Sequence, residues 1–165
     1  MRLPIAISAI LVASLGLNTS VMSQPPIQTP QIQTVTNSSN LAKFRINRRL
    51  WRRQNISNYR FTFSRSCFCF PKATEPVVIE VRNGVTTSIT FKDTGKRADA
   101  ELFQKYNTIP KLFNIIRDAI ARRASNLTVE YDKRLGYPTQ INIDYKSEVA
   151  DDELFLTIES LEKID

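Results

Sequence analysis

Residues 77–91 read VVIEVRNGVTTSITF, and this stretch decides the fold. Two β-branched runs, Val77 to Val81 and Val85 to Phe91, flank Arg82-Asn83-Gly84. β-branched side chains suit a pleated strand, and Asn-Gly supplies the positive φ of a tight turn, so the segment is a β-hairpin. Two registers compete. A two-residue loop pairs Val81 with Thr86 and Ile79 with Ser88, which sets apolar against polar on each face. A three-residue loop pairs Val81 with Val85, Ile79 with Thr87 and Val77 with Ile89. The second keeps one face apolar and is the expected register, with Gly84 left-handed in a bulge.

Working outward, Asn58 to Phe70 also alternates. Tyr59, Phe61 and Phe63 fall on one side and Arg60, Thr62 and Ser64 on the other, the pattern of a half-buried strand. The same period puts Cys67 and Cys69 on the aromatic side, with Arg65 interrupting. Downstream, Pro110 to Arg123 carries Leu112, Phe113, Ile116 and Ile120 at helical spacing, with Pro110 suited to a first turn. Ala98 to Tyr106 fits a preceding helical turn or two. Three more strands follow at Leu127 to Asp132, Thr139 to Tyr145 and Leu154 to Leu161. Their inward sets are Leu127, Val129 and Tyr131; Ile141, Ile143 and Tyr145; and Leu154, Leu156 and Ile158. In the loop before the second of these, Gly136 can take positive φ, and Pro138 extends Tyr137.

Upstream of the first strand, Asn40 fits the N-cap of a helix running to about Gln54. Phe44, Ile46, Leu50 and Trp51 share one broad face of it, and Arg45, Arg48, Arg49, Arg52 and Arg53 share the other. The element order is α-β-β-β-α-β-β-β. It predicts an α+β domain over 41–165: one antiparallel sheet of about six strands with two helices on one face. The other face is left open. Thr62, Ser64, Glu80, Thr128, Glu130, Gln140, Asn142 and Thr157 point onto it, which makes it a candidate partner surface.

Residues 24–40 are rich in Gln, Thr, Pro, Ser and Asn and lack charge and aromatics, so they read as a flexible polar leader. Residues 1–23 read as a cleavable signal peptide. Arg2 is the positive n-region, Ile5 to Leu17 the apolar core, and Val21 and Ser23 the small residues before the cut. That core is shorter than the roughly 20 residues a membrane span needs. The expected location is secreted or periplasmic, with no transmembrane segment in the mature chain.

Trp51, Asn58-Tyr59, Cys67-Phe68-Cys69, Arg82-Asn83-Gly84 and Tyr131-Asp132…Gly136-Tyr137-Pro138 occur in that order. Together they resemble an uncharacterised family of small secreted or lipid-anchored bacterial proteins, a domain of unknown function. The resemblance covers the chain from about Leu50 onward. It implies bacterial origin and an envelope location, and it implies no activity. Relatives with a lipidated Cys after the signal differ from this chain, which has none.

The chemistry available is bounded by what the chain lacks. There is no histidine, which excludes Ser-His-Asp and Cys-His mechanisms and removes the usual zinc ligand. The four glycines form no phosphate-cradling loop. Neither a catalytic residue nor a cofactor nor a metal site is expected. Cys67 and Cys69 are the only cysteines. Three readings stay open for them: a structural bridge or inert buried thiols, a strained redox-active disulfide, and a two-thiolate Cu(I) site without supporting ligands. The net charge of +7 is concentrated on the arginine face near residue 50, with Lys43 nearby. Asp144, Glu148, Asp151, Asp152, Glu153, Glu159, Glu162 and Asp165 make the C-terminal region acidic. The acidic run lacks the alternating spacing of a calcium loop. An uninterrupted basic face suits an anionic polymer, a lipid surface or another protein. Export disfavours nucleic acid as the partner. The leading expectation is a secreted, non-enzymatic binding module, with extracytoplasmic thiol redox or Cu(I) handling at Cys67 and Cys69 as the alternative.

Overall fold

The computed structural model describes residues 31–67, 71–148 and 153–165. Residues 1–23, read as a signal peptide, and the first residues read as a polar leader lie outside these. The elements are α1 (Gln31–Arg53), β1 (Tyr59–Ser66), α2 (Pro71–Thr74), β2 (Val77–Arg82), β3 (Val85–Phe91), α3 (Ala100–Phe103), α4 (Ile109–Ala121), β4 (Asn126–Tyr131), β5 (Pro138–Asp144) and β6 (Glu153–Lys163). The strands form one six-stranded sheet in the order β3-β2-β1-β6-β5-β4, antiparallel throughout. This is the expected α+β architecture. Two three-stranded meanders join through β1 and β6, and the long helices α1 and α4 cover one face.

The core lies between that face and the helices. Tyr59, Phe61 and Phe63 of β1 are buried with Val77, Ile79 and Val81 of β2, Ile141 and Ile143 of β5, and Leu156 and Ile158 of β6. From the helices, α1 contributes Phe44 and Trp51, and α4 contributes Leu112, Phe113, Ile116 and Ala119. Aromatic edges organise the contact: Phe44 meets Phe113 edge-on, and Trp51 meets both Tyr59 and Tyr137 edge-on. Thr108 caps α4 by accepting the Lys111 amide, with Pro110 in the first turn. The hydroxyl of Tyr59 accepts the Ile109 amide at 3.1 Å, so the central strand also satisfies a free donor at this helix start. Burial pushes the Tyr59 phenol up to about 12, against the smaller opposing effect of that hydrogen bond.

The hairpin corrects the expected register. Asn83 and Gly84 both have positive φ (51° and 77°), as a two-residue type I′ turn requires, and Arg82 faces Val85. Val81 then faces Thr86, the polar pairing that argued against this loop. One residue later Glu80 faces Ser88, so Thr87 is an extra residue in a bulge. The bulge flips the register, setting Ile79 against Ile89 and Val77 against Phe91. The turn takes its preferred geometry and the apolar face is recovered in the strand.

Other expectations need correction. Asn40 is not an N-cap. It lies inside α1, which runs back to Gln31 through residues read as leader, and its Nδ2 donates to the Leu127 carbonyl at 2.9 Å. That tie fixes the helix to β4, and no proline interrupts the chain between Pro30 and Pro71. Ile46, placed on the apolar face, is 66% exposed because only Phe44 and Trp51 point squarely into the core. β1 stops at Ser66, and Cys67 sits in a bend, so the strand does not carry Cys67; Cys69 lies outside the described residues. Thr62 was expected on the open face but is buried, because β1 is central and flanked by β2 and β6. Arg65 resolves its place on the aromatic side by snorkelling. Its guanidinium lies over the Phe103 and Tyr106 rings and donates to the Ala73 carbonyl at 2.7 Å.

Candidate functional site

The outer face of α1 is the strongest candidate. Burial of Phe44 and Trp51 fixes the roll of the helix. Arg45, Arg48, Arg49, Arg52 and Arg53 are thereby brought together, lining with Phe44 a shallow concavity of about 580 Å³. The Arg48 guanidinium lies 5.7 Å from the Phe44 ring centroid. Among the described residues the ion pairs are Arg60–Glu162, Arg82–Glu80, Lys92–Glu159 and Arg122–Asp118, and none involves this face.

Such a face costs the helix stability. Arg45–Arg48, Arg49–Arg52, Arg45–Arg49, Arg48–Arg52 and Arg49–Arg53 are like-charge neighbours, each unfavourable by about 0.2–0.5 kcal/mol. Arg52 and Arg53 lie in the last turn, where the helix dipole favours cations, so part of the cost is offset there. Arg45 and Arg49 have no such compensation, and the core does not need them. They are poised to meet phosphate or carboxylate groups, which guanidinium binds through paired N–H donors.

The cysteines lie elsewhere. Cys67 is half-buried and disulfide-bonded, and no free cysteine is present among the described residues. Cys69, the only other cysteine in the chain, lies outside the described residues. Among the described residues no group of three Cys, Asp or Glu side chains could hold a metal ion, and no helix is long and apolar enough to cross a membrane.

A second cluster carries no sequence motif. The Tyr145 hydroxyl donates to Asp118 at 3.3 Å, Arg122 pairs with the same carboxylate at 3.5 Å, and the Arg122 guanidinium lies 4.2 Å above the Tyr145 ring. With Tyr106, Ile115 and Leu154 these groups border an open cavity of about 650 Å³. Burial pushes the Tyr145 phenol up, and Asp118 adds to the shift. The residues come from α4 and the turn that follows it, the link between α3 and α4, the bend after β5, and β6, and are solitary in sequence. Only the i,i+4 spacing of Asp118 and Arg122 signals the cluster.

The open sheet face carries polar rows. Glu130, Gln140 and Thr157 stand across one row, and Thr128, Asn142 and Phe155 across the next. Asn126, Asp144 and Glu153 form a third. Among the described residues the side-chain oxygens Oδ1 of Asn142 and Asp144 are buried without a hydrogen-bond partner.

A helix-backed antiparallel sheet with one open face and an uncompensated arginine helix defines an α+β domain of the αβββ-αβββ kind. The chain belongs to DUF6174, a family of unknown function, whose family model matches residues 43–163. No curated protein and no solved structure matches it.

Proposed function

We propose that the chain is an exported, non-enzymatic binding module whose α1 arginine face takes an anionic, phosphate-bearing partner in the cell envelope. The observation that carries this reading is the run from Arg45 to Arg53, which gathers five guanidinium groups that enter none of the ion pairs among the described residues. The export pattern of residues 1–23 supports the location. Multiple guanidinium–phosphate contacts release counterions, so such binding weakens steeply with salt.

The test uses two probes of the same chemistry, long-chain polyphosphate and vesicles containing anionic phospholipid, with neutral vesicles as control. The native protein should bind at low salt and lose binding as salt rises. Arg48→Glu/Arg52→Glu should lose it at all salt concentrations while keeping its thermal stability. Preference for one probe identifies the source of the phosphate. Equal retention of the variant and the native protein would refute the reading.

A second reading is thiol redox chemistry, favoured by the disulfide at Cys67. Its reduction potential decides. A bond reduced only below roughly −300 mV is structural, and one near −200 mV belongs with thiol oxidants.

A further inference from the structure

We propose that the α1 arginine face of one copy docks on the open β4–β6 face of a second, so that the protein self-associates head to tail. The inference rests on the reading of α1 as an anion-binding face and names a second copy of this chain as one of its partners.

The two surfaces match in three respects. Charge is opposite: Glu130 and Glu153 are exposed on the open face, with Asp144 half-buried beside Glu153. No ion pair reaches these three among the described residues. Hydrogen-bonding capacity is also opposite. Arginine only donates, whereas the face presents the acceptor oxygens of the exposed Glu130 and Glu153 carboxylates. Each surface carries one exposed large apolar residue: Ile46, 66% exposed at the rim of the arginine face of α1, and Phe155, 42% exposed on β6. Ile46 lies beside Arg45 and Arg49, and the Phe155 row lies between the Glu130 row and the Asp144–Glu153 row. One helical turn is about 5.4 Å and one row spacing about 6.6 Å, so successive arginines of α1 meet successive rows of the sheet.

The topology fixes the form of the assembly. α1 packs on the core face through Phe44 and Trp51, and the acidic rows point to the opposite face. One copy therefore cannot engage the same partner through both surfaces. The contact is heterologous, and association continues past the dimer.

Sedimentation velocity of the purified protein over a concentration series, at about 50 mM and about 500 mM salt, tests this. The expected result is a weight-average mass that rises past two copies at low salt and falls to the monomer at high salt. Arg48→Gln/Arg52→Gln and Glu130→Gln/Glu153→Gln should each be monomeric alone. An equimolar mixture should form a 1:1 pair that grows no further, because one intact surface remains on each variant. Native protein monomeric at every concentration, or the glutamate variant associating like native, would overturn the inference. The glutamate variant should still bind polyphosphate. If it does while native protein stays monomeric, only self-association fails. If polyphosphate binding is also absent from native protein, the reading of α1 fails with it.

Discussion

Replacing Gly136 by Ala tests how tightly α1 is seated on the sheet. Gly136 has φ +80° in the loop between β4 and β5, where its N–H donates to the Asp132 carbonyl. A Cβ there would lie 2.6 Å from the Asn47 carbonyl oxygen and 2.9 Å from Leu50 Cβ, both on α1. Left-handed backbone costs a non-glycine residue about 1–2 kcal/mol. Forcing an extra carbon against a helix backbone costs about 1–3 kcal/mol more. The stiffer unfolded chain returns about 0.4–1 kcal/mol, leaving a net loss of about 2–4 kcal/mol. For a domain of this size that lowers Tm by roughly 8–15 °C. Gly84→Ala is the internal control, because Gly84 has φ +77° and nothing within 4 Å of a Cβ. It should cost only about 1 kcal/mol of backbone strain. Urea unfolding followed by fluorescence of Trp51, the only tryptophan, gives both values. If Gly136→Ala costs no more than Gly84→Ala, the loop does not hold α1 and the reasoning fails.

Other outcomes follow from the same contacts. Trp51→Ala empties the space against Tyr59 and Tyr137 and should cost about 3–5 kcal/mol by thermal unfolding followed by circular dichroism. Tyr59 has a folded pKa raised from 10.0 to about 12, so its stabilisation is complete below pH 10 and is lost as pH rises towards 12. Stability measured by urea unfolding should therefore decline across that window, and less steeply in Tyr59→Phe. Asn40→Ala removes the donor to Leu127 and should cost about 1 kcal/mol, with faster hydrogen exchange in α1 near residue 40. Thiol titration of the unreduced, unfolded protein should find no free thiol, and reduction should release two.

Much of the fold was legible because its elements carry strong periods. The Tyr59-Phe61-Phe63 alternation and the Leu112-Phe113-Ile116 stripe each bury as read. What was not legible came from competition between levels. At the hairpin, turn chemistry and apolar pairing conflicted, and a bulge at Thr87 satisfied both. Local spacing cannot show such an insertion. At Asn40, a good capping residue serves a tertiary hydrogen bond to Leu127, 87 positions away. Ile46 looked like core because a helical wheel does not show how wide the covered stripe is. Thr62 looked exposed because alternation does not tell a central strand from an edge. The arginine face was readable because all its members lie on one helix. The Asp118–Arg122–Tyr145 cluster was not, since it is assembled from separate elements.

The salt dependence of polyphosphate binding tests the central claim most directly. Plotted as log K against log salt, the native protein should fall with a slope on the order of −3, that of roughly four to five phosphate contacts at about −0.7 each. Each Arg→Gln substitution at Arg45, Arg48, Arg49 or Arg52 should make the slope shallower by about one contact. A slope near zero, or one that these substitutions leave unchanged, would contradict the assignment of α1 as the binding face.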